Sequence, residues 1–257
     1  MKRILAASCA IAVALLAGAA AQAQNFKGFY VGGYAGGSFA RFDTSTVPAF
    51  SPTGYFATTS TPAIATAGAL KLDPKAFTGG GGGGYNFQSG NFVFGFEADW
   101  GAMKLSQTKA GGATYPCCAP TAFLVAQSAK TDWLFTARPR VGAVVGRTLV
   151  YATAGWAITN LKYASLFTDT FATALEFGGL KENRLGWVVG AGAEIQWIHH
   201  LSFKGEYLRA DFGTASSTST NLTAVFGTTT VAFPQNPFTN SVYLHANIVR
   251  GGVNFHF

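Results

Sequence analysis

Eight ionisable side chains fall on one parity of five alternating segments: Glu97, Asp99, Arg138, Arg140, Glu194, Lys204, Glu206 and Arg250. Successive residues of a strand point to opposite faces of a sheet. These four acids and four bases would therefore share a single face. Two kinds of chemistry are open to such a set. Lining a wide lumen, the charges would conduct small ions. Crowded into a narrow one, they would neutralise each other, because buried charges require pairing and hydrogen bonding. The second behaviour, a salt-bridged plug, is favoured if the strands number eight, since side chains fill a lumen of that size.

The other chemically competent residues make weaker constellations. The histidines are His199, His200, His245 and His256. Only His245, near the outer end of the last strand, could meet outer-leaflet lipid, with Ser241 four residues away. That spacing puts both on one face but too far apart for the direct hydrogen bond that an activated nucleophile needs. No enzyme activity is expected. Cys117 and Cys118 are adjacent in Tyr115-Pro116-Cys117-Cys118-Ala119-Pro120. They could form a vicinal disulfide, stay as thiols or bond another chain; with no carboxylate or histidine near them, no metal site is expected. The run Gly79 to Gly84 is not followed by Lys-Ser/Thr, so it is no phosphate loop. It suits a strand that bends or passes close to bulky neighbours. No cofactor is implied.

The elements that must position these residues are strands. Of 257 residues, 49% are hydrophobic and only 11% charged, with 32 Gly, 23 Phe, 9 Tyr and 5 Trp; soluble domains carry about 25% charge. Disorder is excluded by the aromatic content. Helical membrane spans are excluded beyond the N-terminus, because no apolar run approaches the roughly 20 residues required. Strict alternation marks Phe92 to Gly101, Trp133 to Ala143, Val150 to Ile158, Trp187 to Trp197, Leu201 to Tyr207 and Val249 to Phe257. Phe26 to Phe42 and Phe77 to Phe87 complete eight strands. Short turns at 88–91, 146–148 and 199–200 alternate with long Thr-, Ser-, Ala- and Pro-rich segments at about 43–75, 105–130, 163–182 and 213–240. The expected fold is all-β: an eight-stranded antiparallel up-and-down transmembrane β-barrel with short periplasmic turns and four long external loops.

One parity is loaded with Phe and Trp over strand after strand. A narrow lumen could not hold those rings, so they must face outward, which is tolerable only in lipid. Trp100, Trp133, Trp156, Trp187, Trp197 and Tyr207 lie near strand ends and fit interfacial girdles. Lys2 and Arg3, the apolar stretch to Ala21 and Ala21-Gln22-Ala23 have the parts of a signal peptide. Residues 1–23 are expected to be cleaved, leaving a single barrel domain over 24–257. The formal charge of +7 includes Lys2 and Arg3; the remaining excess sits at rims, as in Lys27, Arg41, Lys104 and Lys130. Attraction to the phosphates of lipopolysaccharide follows from that position, and nucleic-acid binding does not. Phe50, Tyr55, Phe56, Phe226, Phe233 and Phe238 in the first and last loops either form adhesive tips or fold back over the barrel mouth, the latter being favoured.

Several segments carry a resemblance: Phe29-Tyr30-Val31-Gly32-Gly33-Tyr34, Gly95-Phe96-Glu97-Ala98-Asp99, Arg138-Pro139-Arg140-Val141-Gly142 and Tyr151-Ala152-Thr153-Ala154-Gly155. Gly186 to Glu194, Lys204-Gly205-Glu206-Tyr207 and Gly252 to Phe257 continue it in order over the chain. The sequence resembles the alphaproteobacterial outer-membrane immunogenic proteins, small porin-like barrels. The resemblance implies an integral outer-membrane barrel in contact with lipid and lipopolysaccharide. It also implies delivery by periplasmic chaperones and insertion by the barrel-assembly machinery through a terminal aromatic, Phe257. An envelope-structural role and surface antigenicity are implied rather than catalysis. The loops match nothing, so no loop ligand is carried over. Pro139 stands where relatives more often have glycine or another strand residue, and lacks an N–H for the ladder.

Overall fold

The computed structural model describes residues 25–257; the expected signal peptide and its cleavage after Ala23 lie outside them. The elements are β1 (Gly28–Pro48), α1 (Ser60–Ala67), β2 (Leu70–Leu72), β3 (Lys75–Ser89), β4 (Phe92–Met103), β5 (Ser106–Thr114), β6 (Ala122–Lys130), β7 (Trp133–Val145), β8 (Thr148–Asp169), β9 (Leu175–Ile198), β10 (Leu201–Ser219), β11 (Thr223–Phe226), β12 (Thr229–Ala232) and β13 (Phe238–His256). All pairings are antiparallel. From β1 they run through β3, β4, β7, β8, β9, β10 and β13 and return to β1, so the sheet closes on itself.

The sheet has thirteen strands, not the eight expected from alternation. The difference arises in the segments expected to be loops. Residues 163–182 are largely strand: β8 and β9 stay paired from Thr148↔Ile195 to Thr168↔Leu175, leaving only a short turn. Residues 105–130 fold as the β5–β6 hairpin, and β6 pairs along the far end of β8. β2 lies against β1, and β11–β12 forms a further hairpin. These stretches are rich in Thr, Ala and Ser, with scattered apolar residues such as Phe123, Val125 and Phe167 buried at the mouth, and no sustained apolar alternation announced them. Backbone hydrogen bonding to a wall already in place supplies what their side chains lack.

The aromatic parity is on the outside. Phe92, Phe94, Phe96 and Trp100 alternate along β4 with buried Val93, Glu97 and Asp99. Trp156 on β8, Trp187 and Trp197 on β9, and Phe255 and Phe257 at the chain's end are exposed in the same way. Leaving one such side chain in water forgoes about 1.5–3 kcal/mol, so a belt of them would forfeit more than the roughly 5–15 kcal/mol by which a domain is stable. Lipid must cover it. The stretches Phe29–Phe39 and Phe92–Trp100 have the about 9–11 residues of a tilted transmembrane strand. Among the described residues no helix is long and apolar enough to cross a membrane.

The interior is layered, as the inward residues of single strands show. From the short-turn end, β13 presents His256, Asn254, Arg250, Ile248, Ala246, Leu244, Val242, Asn240 and Phe238, all buried. A small apolar cluster of Phe26, Val93, Val144 and Leu149 closes the lower end. Above the charged tier comes a larger apolar layer that includes Phe42, Leu72, Met103, Leu134, Val188, Leu208 and Phe212. The aromatics of the mouth cap it.

The glycine run belongs to this packing. A Cβ on Gly82 would lie 2.5 Å from the Ala98 carbonyl oxygen and 2.6 Å from Asp99 Cβ. On Gly84 it would lie 2.5 Å from the Tyr30 hydroxyl. Glycine therefore leaves the space that the charged tier occupies. Gly82→Val is expected to cost about 1–3 kcal/mol through overpacking, read as a lower urea midpoint of the refolded barrel. Gly205→Ala, where no atom lies within 4 Å of an added Cβ, is expected to leave the midpoint unchanged. Pro139 does interrupt a ladder: β7 pairs β8 at Ala137↔Trp156 and resumes at Arg140↔Thr153. On its other side Pro139 stays in register with Phe96. The Thr153 hydroxyl donates to the Pro139 carbonyl at 2.8 Å, which satisfies part of the gap.

Candidate functional site

The eight charged residues picked out by parity are all buried in one tier of the lumen. β4 supplies Glu97 and Asp99, β7 Arg138 and Arg140, β9 Glu194, β10 Lys204 and Glu206, and β13 Arg250. Arg138 sits at the centre. Its Nη2 donates to Glu97 Oε1 (2.6 Å) and Asp99 Oδ2 (2.8 Å), and its Nη1 to Glu206 Oε1 (3.1 Å). Arg250 donates to both Asp99 oxygens at 2.9 Å and through Nε to Glu206 at 2.8 Å. Lys204 Nζ lies 2.9 Å from each oxygen of Glu97. Arg140 reaches Glu194 at 3.1 Å and the Asn86 amide oxygen at 2.9 Å.

A second set of residues completes the tier. The Tyr30 hydroxyl donates to Glu97 (2.8 Å), Tyr151 to Glu206 (3.1 Å) and Thr136 to Asp99 (2.7 Å). Glu194 is held by Ser202 (2.5 Å), Asn254 (2.9 Å) and His256 Nε2 (2.9 Å). The guanidinium of Arg140 lies 4.4 Å from the Tyr30 ring centroid, and that of Arg250 4.1 Å from Tyr34. Thr136, Ser202, Asn254 and His256 share the parity of the charges on their own strands, so alternation places those four inward, whereas Tyr30, Tyr34, Asn86 and Tyr151 come from strands that supply none of the eight charges. Their contacts with particular ions depend on which strands become neighbours. The cavity beside Glu97, Asp99 and Lys204 has about 10 Å³, the space of roughly one water.

At the mouth, sequence reasoning missed Asp169. It accepts from the Tyr55 (2.6 Å) and Tyr115 (2.9 Å) hydroxyls and from the backbone N–H groups of Ala172 and Ala174. Burial raises both phenols well above their ordinary range, and Asp169 adds to the effect. Asp169 follows no motif; three separate segments make the cluster. Phe56 and Phe238 are buried there, Tyr55 and Phe233 pack against them, and Phe50 and Phe226 remain exposed. Cys117 and Cys118 are bonded to one another at the β5–β6 tip. Among the described residues no group of His, Cys, Asp and Glu could hold a metal ion. His245 lies on the outer rim, while the Ser241 hydroxyl is engaged by Ser216 at 2.9 Å. Phe257 is outside, away from the tier, its N–H donating to the Phe29 carbonyl at 3.0 Å.

A profile of the outer membrane protein beta-barrel domain matches residues 8–257. The 31 kDa outer-membrane immunogenic proteins of Brucella melitensis and Brucella suis are each 32% identical over 195 residues, covering 74% of this chain and 72% of theirs. The 22 kDa outer membrane protein of Rhizobium leguminosarum bv. viciae is 30% identical over 129 residues, half of this chain and 49% of its own. Among solved structures, the outer membrane protease OmpT of Escherichia coli aligns with 90% of this chain and 97% of its own at a TM-score of 0.44 and 10% identity. With a lipid-facing aromatic exterior, a closed antiparallel sheet and these relatives, the chain belongs to the outer-membrane immunogenic proteins within the outer membrane beta-barrel family, and it is an integral protein of the outer membrane.

Proposed function

We propose that this protein is a structural component of the envelope: a closed outer-membrane barrel rather than an open pore or an enzyme. In this reading β1, β3, β4, β7, β8, β9, β10 and β13 are the eight transmembrane staves, the short turns face the periplasm, and the extended walls stand outside. The supporting observation is the lumen. Its charged tier is self-paired around a cavity of about 10 Å³, and the apolar layer next to it includes Phe42, Leu72, Met103 and Leu208 at 0% exposure. An ion crossing that layer would be stripped of water without a partner, at a cost of several kcal/mol. Any passage of small solutes would require this packing to open. Phe257 is the assembly signal in this reading, presented by the last strand to the insertion machinery.

The test is planar-bilayer conductance of the refolded protein beside the Arg138→Ala/Glu97→Ala double variant. No channel steps are expected from wild type, because the apolar layer stays in place. Regular steps in wild type would overturn the closed-barrel reading.

A second reading is favoured by one feature of the mouth. Tyr55, Phe56, Tyr115, Phe171 and the Cys117–Cys118 pair line a cavity of about 110 Å³ that opens outward. A surface receptor could use it, and loop-directed ligand capture by intact cells would distinguish the two roles.

A further inference from the structure

On the outer wall, β13, β1 and the β2–β3 turn enclose a groove of about 400 Å³ lined by Phe39, Arg41, Asp73, Pro74, Lys75 and His245, among others. Its height on the barrel is informative. Below it, the outward residues of β1 are Gly37, Ala35, Gly33, Val31 and Phe29, and those of β13 are Val249, Gly251, Val253 and Phe255. None of these is charged. Arg41, Lys75 and His245 are thus the first ionisable side chains above the apolar band on these strands. Register makes them neighbours, with Arg41 opposite His245 and Phe39 opposite both Asn247 and Lys75. The groove therefore sits at the upper edge of this uncharged wall.

Its chemistry is amphiphilic in the same sense. The floor includes the Phe39 ring and Pro74, with the Lys75 ammonium 5.8 Å from the Phe39 centroid. Asp73 holds Arg41 by its Nε at 2.6 Å, and among the described residues the two Nη groups carry no protein hydrogen bond. Lys71 and Lys109 flank the site, Lys109 donating to the Lys71 carbonyl at 2.7 Å. With Asp211 opposite His245 and Arg209 opposite Asn247 on β10, Arg41, Lys71, Lys75, Lys109 and Arg209 stand against Asp43, Asp73 and Asp211, a local positive excess directly above uncharged wall.

We infer that this groove is a docking site for a phosphate-bearing glycolipid of the outer leaflet. The phosphate lies between Arg41 and Lys75, and the acyl chain runs down the small-residue wall past Phe39 and Gly37. Phosphate suits this site because guanidinium and ammonium donors converge from adjacent strands while Asp73 orients one of them. Carboxylated sugars lacking an acyl chain would leave the apolar floor uncovered. The inference rests on the orientation given above, in which the extended walls face outward.

Native mass spectrometry of the protein refolded in detergent, titrated with lipid A, tests it. Because both cations that would face the phosphate are removed, Arg41→Ala/Lys75→Ala is expected to weaken binding about ten- to thirtyfold. Lys104→Ala/Lys162→Ala, at similar height on other strands, should bind as wild type does. Enzymatically dephosphorylated lipid A should bind wild type as weakly as the double variant binds the intact lipid, and inorganic phosphate alone should not saturate. Heat-modified gel migration confirms that each variant is folded. Equal loss in both double variants would overturn the site in favour of a diffuse basic ring, and indifference to phosphate would overturn the chemistry. Failure of the orientation itself shows separately: a Thr230→Cys variant on the β11–β12 hairpin would escape an impermeant maleimide on intact cells.

Discussion

Refolded Arg138→Ala barrels are expected to unfold at markedly lower urea than wild type, with a loss of about 3–5 kcal/mol. Arg138 is fully buried and bonded to Glu97, Asp99 and Glu206 at once. Its removal leaves four acids facing Arg140, Lys204 and Arg250 in a buried, closely packed tier. The sign does not depend on whether the intact network is itself net favourable, since desolvation can cancel the attraction within a buried pair. What counts is the carboxylate left behind. Arg138→Met/Glu206→Gln, which removes one charge of each sign and keeps most of the volume, is therefore expected to recover most of the loss. Urea titration followed by tryptophan fluorescence in lipid vesicles measures both variants. An Arg138→Ala midpoint within about 1 kcal/mol of wild type would show that the tier relaxes or hydrates, contrary to its packing.

Phe96→Arg is expected to destabilise the barrel by about 2–4 kcal/mol, the cost of an arginine on the lipid face near the bilayer midplane. Phe96 lies midway between Phe92 and Trp100 on β4, is 49% exposed, and is opposed by Tyr85 and Pro139 on the flanking strands. In a water-soluble barrel the same replacement would cost little, since exposed surface substitutions there usually stay within about 0.5 kcal/mol. Val225→Arg on the β11–β12 hairpin provides the comparison at 40% exposure, and it is expected to stay within about 0.5 kcal/mol. A Phe96→Arg variant that folds as well as wild type would remove lipid as the cover of the aromatic belt.

Much of this was legible before any coordinates. Alternation along β4, from Phe92 to Trp100, separates the ring-bearing face from the carboxylate-bearing one, because a period of two is a property of the extended backbone itself. The charges of β7, β9, β10 and β13 fall into place by the same rule, as do Thr136, Ser202, Asn254 and His256. Less legible were the outer walls. Lys109, Ala110 and Gly111 on β5 and Gly178 and Gly179 on β9 carry no apolar alternation, yet they lie in strands. Nor does any sequence signal join Asp169 to Tyr55 and Tyr115, residues 114 and 54 positions away.

The sequence by itself determined which side of each strand meets lipid and which meets the lumen, and so the kind of molecule this is. The tertiary structure alone decided that Arg138 meets three particular carboxylates and that Gly82 and Gly84 clear space for them. Facing is set residue by residue along one strand. Pairing across the lumen depends on how all the strands of the closed sheet stagger against each other, and no single strand carries that information.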